Sequence, residues 1–434
     1  MDAGVPGSGA HRRGLGTDPG PFRVRRIDLP DERAARREIL SIGCDPAALP
    51  WLLPKARLLV LRIEAVPAFA ANLLKQEALA VGADAVVHRC SCTLTVDRSD
   101  VLLLATPGQT QSILKKLRVQ VPTLKAVGAS LEAFLQEAAA GRERVFRAGS
   151  RVFPIGGRTW IMGILNATPD SFSDGGRFAG VEEAVRHALR MERDGADIVD
   201  VGGESTRPGH RPVGAEEEMD RVLPVIRAIR KESGVTVSID TSKAEVARAA
   251  LAEGAAIVND VWGLKRDPGL AAVVAATGAG LVVMHNRGTE AGASEARAAA
   301  PSAPPEDILS AVRSSLQESL DLAAAAGIPD DAVAVDPGIG FGVSPEDSMR
   351  MIDGLDAVRA LGRPVLIGPS RKSFIGKVLD LPVERRLLGT AAAVAYGIAR
   401  GADFVRVHDV AEMREVVRLA DAIRAAGRSE GAAP

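Results

Sequence analysis

From Trp160 onward the chain repeats one unit. A short apolar run ends on polar residues, an Ala-rich stretch of helical period follows, and a glycine resets the chain. The apolar runs predict strands over residues 160–165, 197–201, 235–239, 256–258, 281–284, 332–335, 364–367 and 404–407. Helices are expected between them, with a last one over about 411–425. Gly195, Gly254, Gly280, Gly327 and Gly401 stand just before strands, where a left-handed helix cap is wanted. Uninterrupted apolar strands alternating with helices call for a parallel sheet covered on both faces. Eight units over roughly 270 residues match the size of a closed barrel. A doubly wound open sheet is the runner-up, and eight consecutive units without a GxGxxG fingerprint favour closure. The expected class is therefore α/β, a (β/α)8 TIM barrel with a small α/β domain before it.

That smaller domain follows from the rest of the 434 residues. Residues 57–64, 83–87 and 101–105 read as strands, and 67–81, 109–117 and 130–140 as helices. The segment VFRAGSRVF at 145–153 reads as a hairpin. The expected organisation is a tail over 1–20, an accessory α/β domain over 21–143, the barrel over 144–427 and a second tail over 428–434. The first tail is rich in Gly and Pro and lacks the apolar core of a signal peptide. Pro54, Lys55, Arg57, Arg62, Glu64 and Pro67 interrupt the apolar stretch from Trp51 to Ala71, so no membrane span is expected there. A formal net charge of −1 and 3% aromatic residues argue against nucleic acid as a partner. Cys44, Cys90 and Cys92 are an odd number in a long chain, which points away from a disulfide scaffold and toward a cytoplasmic protein. Cys90 and Cys92 with His88 form a conceivable metal pair, but small apolar side chains are the simpler reading.

Chemistry concentrates where the predicted strands end. The first ends on Asn166, inside IMGILNATPDSFSDGGRF, and the second brings Asp200, Glu204, Ser205, Thr206 and Arg207. Asp240, Thr241 and Lys243 follow the third, Asn259 and Asp260 the fourth, and His285 the fifth. Asp336 ends the sixth and leads into Pro337, Gly338, Gly340, Phe341 and Gly342. Ser370, Arg371, Lys372 and Ser373 follow the seventh, and the eighth supplies Arg406, His408 and Asp409. A lone Asp after a strand is commonly a helix cap, but in a closed barrel all eight ends ring one mouth. Asn166, Asp200, Asp240, Asn259 and Asp336 make a polar, acidic half suited to a flat heterocycle with several donors. Arg207, Lys372, Arg406 and His408 make a cationic half suited to phosphate or diphosphate.

These motifs resemble the dihydropteroate synthases. The likeness is carried by NATPDSFSDGG (166–176), DIVDVGGESTRPG (197–209), SIDTSK (238–243), IVNDV (257–261), VMH (283–285), DPGIGFG (336–342), IGPSRKSFIG (367–376) and RVHDV (406–410), in the family's order. The resemblance implies condensation of 6-hydroxymethyl-7,8-dihydropterin diphosphate with p-aminobenzoate, giving 7,8-dihydropteroate and pyrophosphate, with Mg2+ as cofactor. It implies pterin binding by Asp240, Asn259, Asp336, Lys372 and Arg406. Diphosphate would meet Asn166, Arg207, Arg406 and His408, with Asn166 also linked to the metal. Thr206, Pro208, Phe341, Lys372 and Ser373 would hold p-aminobenzoate, and Arg207, Lys372, Arg406 and His408 would carry catalysis. Loops 167–180 and 203–214 would close over the diphosphate. The resemblance further implies a homodimer and competition by sulfonamides.

Val343 stands where many family members carry Lys, the 289–305 segment is Ala- and Pro-rich and lacks a usual Tyr, and Pro369 stiffens the exit from the seventh strand. These departures bear on loop motion and affinity. Two other functions are conceivable: a pterin-dependent methyltransferase, which needs neither SRKS nor RVH, and a non-catalytic pterin-binding scaffold. Residues 73–89 and 99–117 resemble an accessory region of some family members, with oligomerisation or stabilisation as its expected role and a second ligand site as the alternative.

Overall fold

The structure, a computed structural model, describes residues 27, 29, 31–139, 144–167, 176–204, 213–287 and 307–429. The chain divides into two compact units, Met1–Gly141 and Arg142–Pro434.

The first unit is a three-stranded sheet with helices. Strands β1 (Leu59–Pro67), β2 (Asp84–Val86) and β3 (Arg98–Ala105) lie in the order β1-β3-β2, all antiparallel. The β1–β3 register slips between Ile63 and Val66, where Ala65 takes φ 51°. Leu74, Leu103, Ile113, Leu117 and Leu124 are fully buried in the core of this unit. Two sequence expectations change. The third helix begins at Pro122 and runs to Ala139, eight residues earlier than expected. Pro suits a first helical turn, and Gly128 lets two helices approach closely, since a Cβ there would lie 3.0 Å from Leu117 Cβ. A helix at Glu32–Ser41 was not anticipated; Asp31 caps it by accepting from the Ala34 N–H at 2.7 Å.

The second unit opens with the expected hairpin, β4 (Arg144–Ala148) and β5 (Arg151–Ile155), turning at Gly149. Eight strands follow: β6 (Trp160–Asn166), β7 (Ile198–Gly202), β8 (Thr236–Asp240), β9 (Ile257–Asp260), β10 (Gly280–Met284), β11 (Val333–Asp336), β12 (Leu366–Ile367) and β13 (Phe404–Val407). They form one parallel sheet in the order β11-β10-β9-β8-β7-β6-β13-β12. A parallel bridge between Val335 and Val365, with the Val335 N–H donating to Pro364 O at 2.9 Å, joins its ends. The sheet is a barrel, as eight consecutive βα units required. Each strand lies within about two residues of its predicted span.

Gly195, Gly254, Gly327 and Gly401 have positive φ, as helix caps should. Gly280 does not. It is the first residue of β10, and a Cβ there would lie 2.8 Å from the Phe146 ring. The cap before β10 is Gly278, at φ 66°. The hairpin thus presses against the N-terminal end of the barrel. Phe146, Phe153 and Phe404 meet there with Met162, Ile198, Ile257, Val282 and Leu366, all buried, and Phe146 stacks edge-on against Phe404 at 5.5 Å.

Candidate active site

At the opposite end the strands finish on polar groups. Asp200 is fully buried within β7, and Asp240, Asn259 and Asp336 are the last or next-to-last residues of β8, β9 and β11. Parallel register places Asp200 beside Ser238, Asp240 beside both Gly202 and Asn259, and Met284 beside Asp336. Side chains from separate strands therefore face each other across a few ångströms. Asn259 Nδ2 donates to Asp200 Oδ2 at 2.9 Å. Arg406 of β13 donates through Nε to Asp200 Oδ2 at 2.7 Å and through Nη2 to Asp240 Oδ2 at 2.6 Å. One guanidinium thus bridges two carboxylates from β7 and β8, which lie two and three strands from β13 in the sheet order.

Asp336 sits in a turn built by glycine. Its Oδ1 accepts from the Gly338 N–H at 2.7 Å. Gly338 has φ 77°, and a Cβ on it would lie 1.8 Å from the His285 carbonyl oxygen, so no other residue fits. Gly340, also at positive φ, passes the Lys372 stem. Lys372 then places its Nζ over the Phe341 ring, 3.6 Å from the centroid. Ser370 Oγ and His408 Nδ1 lie 2.9 Å apart, and the His408 N–H donates to Ser370 Oγ at 3.2 Å. Arg371 takes φ 57° and donates through Nε to Asp409 Oδ2 at 3.0 Å, which turns it out of the cluster and leaves Lys372 as the cation on that loop facing Phe341.

Burial sets the electrostatics. Desolvation raises Asp240 to about 7; the Arg406 charge opposes the rise, while Asp200, Glu218 and Asp260 add to it. Desolvation likewise raises Asp336 to about 6 against the Gly338 N–H and the charges of Lys372 and Arg406. Lys372 is lowered to about 8 by desolvation and by Arg406, with Asp336 and Asp240 opposing. Carboxyls and an ammonium tuned toward neutrality in one cleft are typical of sites that bind and react.

The structure gathers Asp240, Asn259, Asp336, Phe341, Lys372, Arg406 and His408 at one mouth. Asn166 ends β6 there with an exposed side chain. Ser373 opens the helix Ser373–Leu379 immediately after Lys372. Thr206, Arg207 and Pro208 lie outside the described residues, as do 168–175 of the first loop and 288–306. Residues 176–180, expected in that loop, belong to the helix Gly176–Asp194. Asp260 serves its own turn: it accepts from the Leu264 and Trp262 N–H groups at 2.6 and 2.9 Å. Ser370 was singled out among the strand ends without a role, though its position two residues before Lys372 on a strand exit was a usable signal. Glu218 was missed, because GAEEEMDRV reads as a solvated acidic run.

The sequence pattern of pterin binding enzymes matches residues 162–408, more than half of the chain. The chain belongs to the pterin-binding enzyme family. Within this pterin-binding family it is 46% identical to the dihydropteroate synthase of Clostridium beijerinckii over 279 residues, 64% of this chain and 98% of the relative. The solved Xanthomonas albilineans dihydropteroate synthase with 4-aminobenzoic acid is 40% identical, covers 65% of this chain and 99% of its own, and superposes with a TM-score of 0.59. A third pterin-binding relative is a probable bifunctional folylpolyglutamate synthase/dihydropteroate synthase of Halobacterium salinarum, 42% identical over 366 residues, 83% of this chain and 42% of the relative. That match is too long for the barrel unit alone, so it reaches into the N-terminal unit. The barrel is that of a dihydropteroate synthase, a transferase of folate synthesis.

Proposed function

We propose that the mouth of this barrel joins 6-hydroxymethyl-7,8-dihydropterin diphosphate to p-aminobenzoate, and that the residues gathered there divide the work. The observation that carries this division is Arg406, held between Asp200 and Asp240, with the Asp336 and Lys372 charges near enough to interact with it. A ring with several N–H groups finds acceptors in Asp240, Asp336 and the Asn259 amide. Arg406 offers it a flat cation, and with Arg207 and His408 it offers charge to a departing diphosphate. Lys372, lying on Phe341, faces the place where the two substrates meet. Thr206, Pro208 and Ser373 complete the p-aminobenzoate side.

The chemistry is a substitution at the exocyclic carbon. Its bond to diphosphate oxygen breaks, a bond to the arylamine nitrogen forms, and the amine loses a proton. An arylamine is neutral at pH 7, so no strong base is needed, and departure of diphosphate is the difficult step. Asp240 and Asp336 stabilise positive charge developing on the pterin, while Arg207, Arg406 and His408 stabilise the leaving anion.

Mg2+ fits this donor set. The Asn166 amide oxygen is a hard donor exposed at the mouth, and among the described residues no cluster of three His, Cys, Asp or Glu stands ready to hold a metal. One protein oxygen plus substrate phosphate oxygens is an ordinary arrangement for Mg2+. When bound, the ion would neutralise charge on the leaving diphosphate.

The assembly is read as a homodimer, on the exposed apolar side chains of Leu388, Tyr396, Leu419 and Ile423 along the last two helices. No helix among the described residues is long and apolar enough to cross a membrane. Three free cysteines agree with a cytoplasmic setting.

The test is pyrophosphate release from the full-length chain. It is expected to require p-aminobenzoate and Mg2+ together and to be competed by a sulfonamide. Release without p-aminobenzoate, or none with all components, would refute the assignment. Arg207→Ala is expected to weaken diphosphate binding about tenfold and leave free-pterin affinity unchanged by calorimetry.

A further inference from the structure

Lys243 follows β8 and takes no part in the cluster around Arg406. Its ammonium donates to Glu204, just past β7, and to Glu218, on the helix Ala215–Glu232. Lys243 and Glu204 side chains are 20% exposed, and that of Glu218 is 1% exposed. Glu218 Oε1 is buried with no hydrogen-bond partner, so Lys243 is the charge that balances this carboxylate. A half-satisfied buried carboxylate is costly, and a surface helix has no need of one.

The same point of the chain is held three more ways. Gly202 pairs in register with Asp240. Arg221 donates to Gly203 O at 2.8 Å. Gly203 rests directly on the helix, since a Cβ there would lie 2.8 Å from Val222 Cγ1 and 2.9 Å from Glu218 Cγ. Beyond Glu204 the chain continues through Thr206, Arg207 and Pro208. Arg207 is three residues on, within about 11 Å of backbone reach.

We propose that Lys243, locked by buried Glu218, is a positioning residue: by holding Glu204 it fixes the place and direction from which the chain leaves β7 toward Thr206, Arg207 and Pro208. It deepens the functional reading given above and rests on it. Lys243 touches neither Arg406 nor Asp336, so its effect falls on the diphosphate and p-aminobenzoate side and spares the pterin ring. Glu218 also adds to the field at Asp240, so a variant that removed Lys243 or Glu218 alone would blur the two sides.

The test therefore removes that buried pair together and treats Glu204 separately. Lys243→Met/Glu218→Leu deletes the cation and the buried anion together, and Glu204→Gln cuts the anchor from the more exposed end with the buried pair intact. Both are made in the full-length chain. In each, KM for p-aminobenzoate is expected to rise at least tenfold, with free-pterin Kd within threefold of the parent and Tm within a few degrees. Lys243→Arg, which keeps the cation, is expected to recover most of the loss. Unchanged KM in Glu204→Gln overturns the proposal, and so does equal loss of free-pterin affinity in both variants. Should the double variant fail to fold, Glu204→Gln alone decides. Absence of pyrophosphate release in the parent chain would instead sink the functional reading, a failure visible before any variant is compared.

Discussion

The two ends of this barrel use the same eight strands in opposite ways. At the N-terminal end, Phe146, Phe153 and Phe404 pack with strand residues such as Met162, Ile198 and Val282, and the hairpin seals them from solvent. At the C-terminal end, Asp200, Asn259 and Asp336 are buried, the Asp240 side chain is 13% exposed, and Asp200 Oδ1 has no hydrogen-bond partner. Aromatic burial supplies stability, about 25 cal/mol per Å2; carboxylates raised by desolvation draw it down. A strand only four or five residues long can serve both purposes because its two ends face different surroundings.

If that contrast holds, variants at the two ends should change different observables. The largest effect is expected from Phe146→Ala, which empties the sealed end. It should destabilise the barrel by about 3–5 kcal/mol in denaturant unfolding while kcat/KM of the remaining folded enzyme stays at the parent value. Lys372→Ala at the mouth should do the reverse. Pterin and p-aminobenzoate affinity should fall together and kcat/KM should drop roughly a hundredfold, with the unfolding midpoint little changed.

Asp336→Asn sharpens the comparison, because it is expected to raise stability as it lowers activity. The folded carboxyl is raised to about 6 from an ordinary 3.8. The folded state thus holds its proton longer than the unfolded chain, and the associated stability is present below pH 4 and lost as pH rises through 6. At pH 8 the Asn variant should exceed the parent by about 2–3 kcal/mol; at pH 4 the two should match. The smallest expected effect is on binding. Protonating Asp336 and Asp240 removes acceptors, so free-pterin affinity should weaken about tenfold between pH 7.5 and pH 5.5 in a titration series, and Asp336→Asn should flatten that dependence.

Much of this contrast could be read from the chain, and the reasons differ by residue. The strands were legible because each is a short apolar run punctuated by glycine, and the mouth was legible because Asn166, Asp240, Asn259, Asp336 and Arg406 each stand at or next to the end of such a run. What could not be read depends on contacts distant in sequence. Arg406 reaches Asp200 across 206 residues, and nothing local to either marks the pair. Gly280 looked like a cap because it precedes a strand, but its real constraint is the Phe146 ring packed against it. The helix expected over 130–140 starts already at Pro122, and Gly128 within it admits Leu117. Glu218 sits in an acidic run that any sequence reading assigns to solvent, and tertiary packing buried one member of it.

The most direct test is a crystal structure of the full-length chain soaked with the dihydropterin diphosphate. The account predicts the ring within hydrogen-bonding distance of Asp240, Asn259 and Asp336, with the diphosphate toward Arg406 and His408 and the sealed hairpin end unchanged. A ring bound away from those three side chains would contradict it, as would a diphosphate on the far side of the mouth from Arg406.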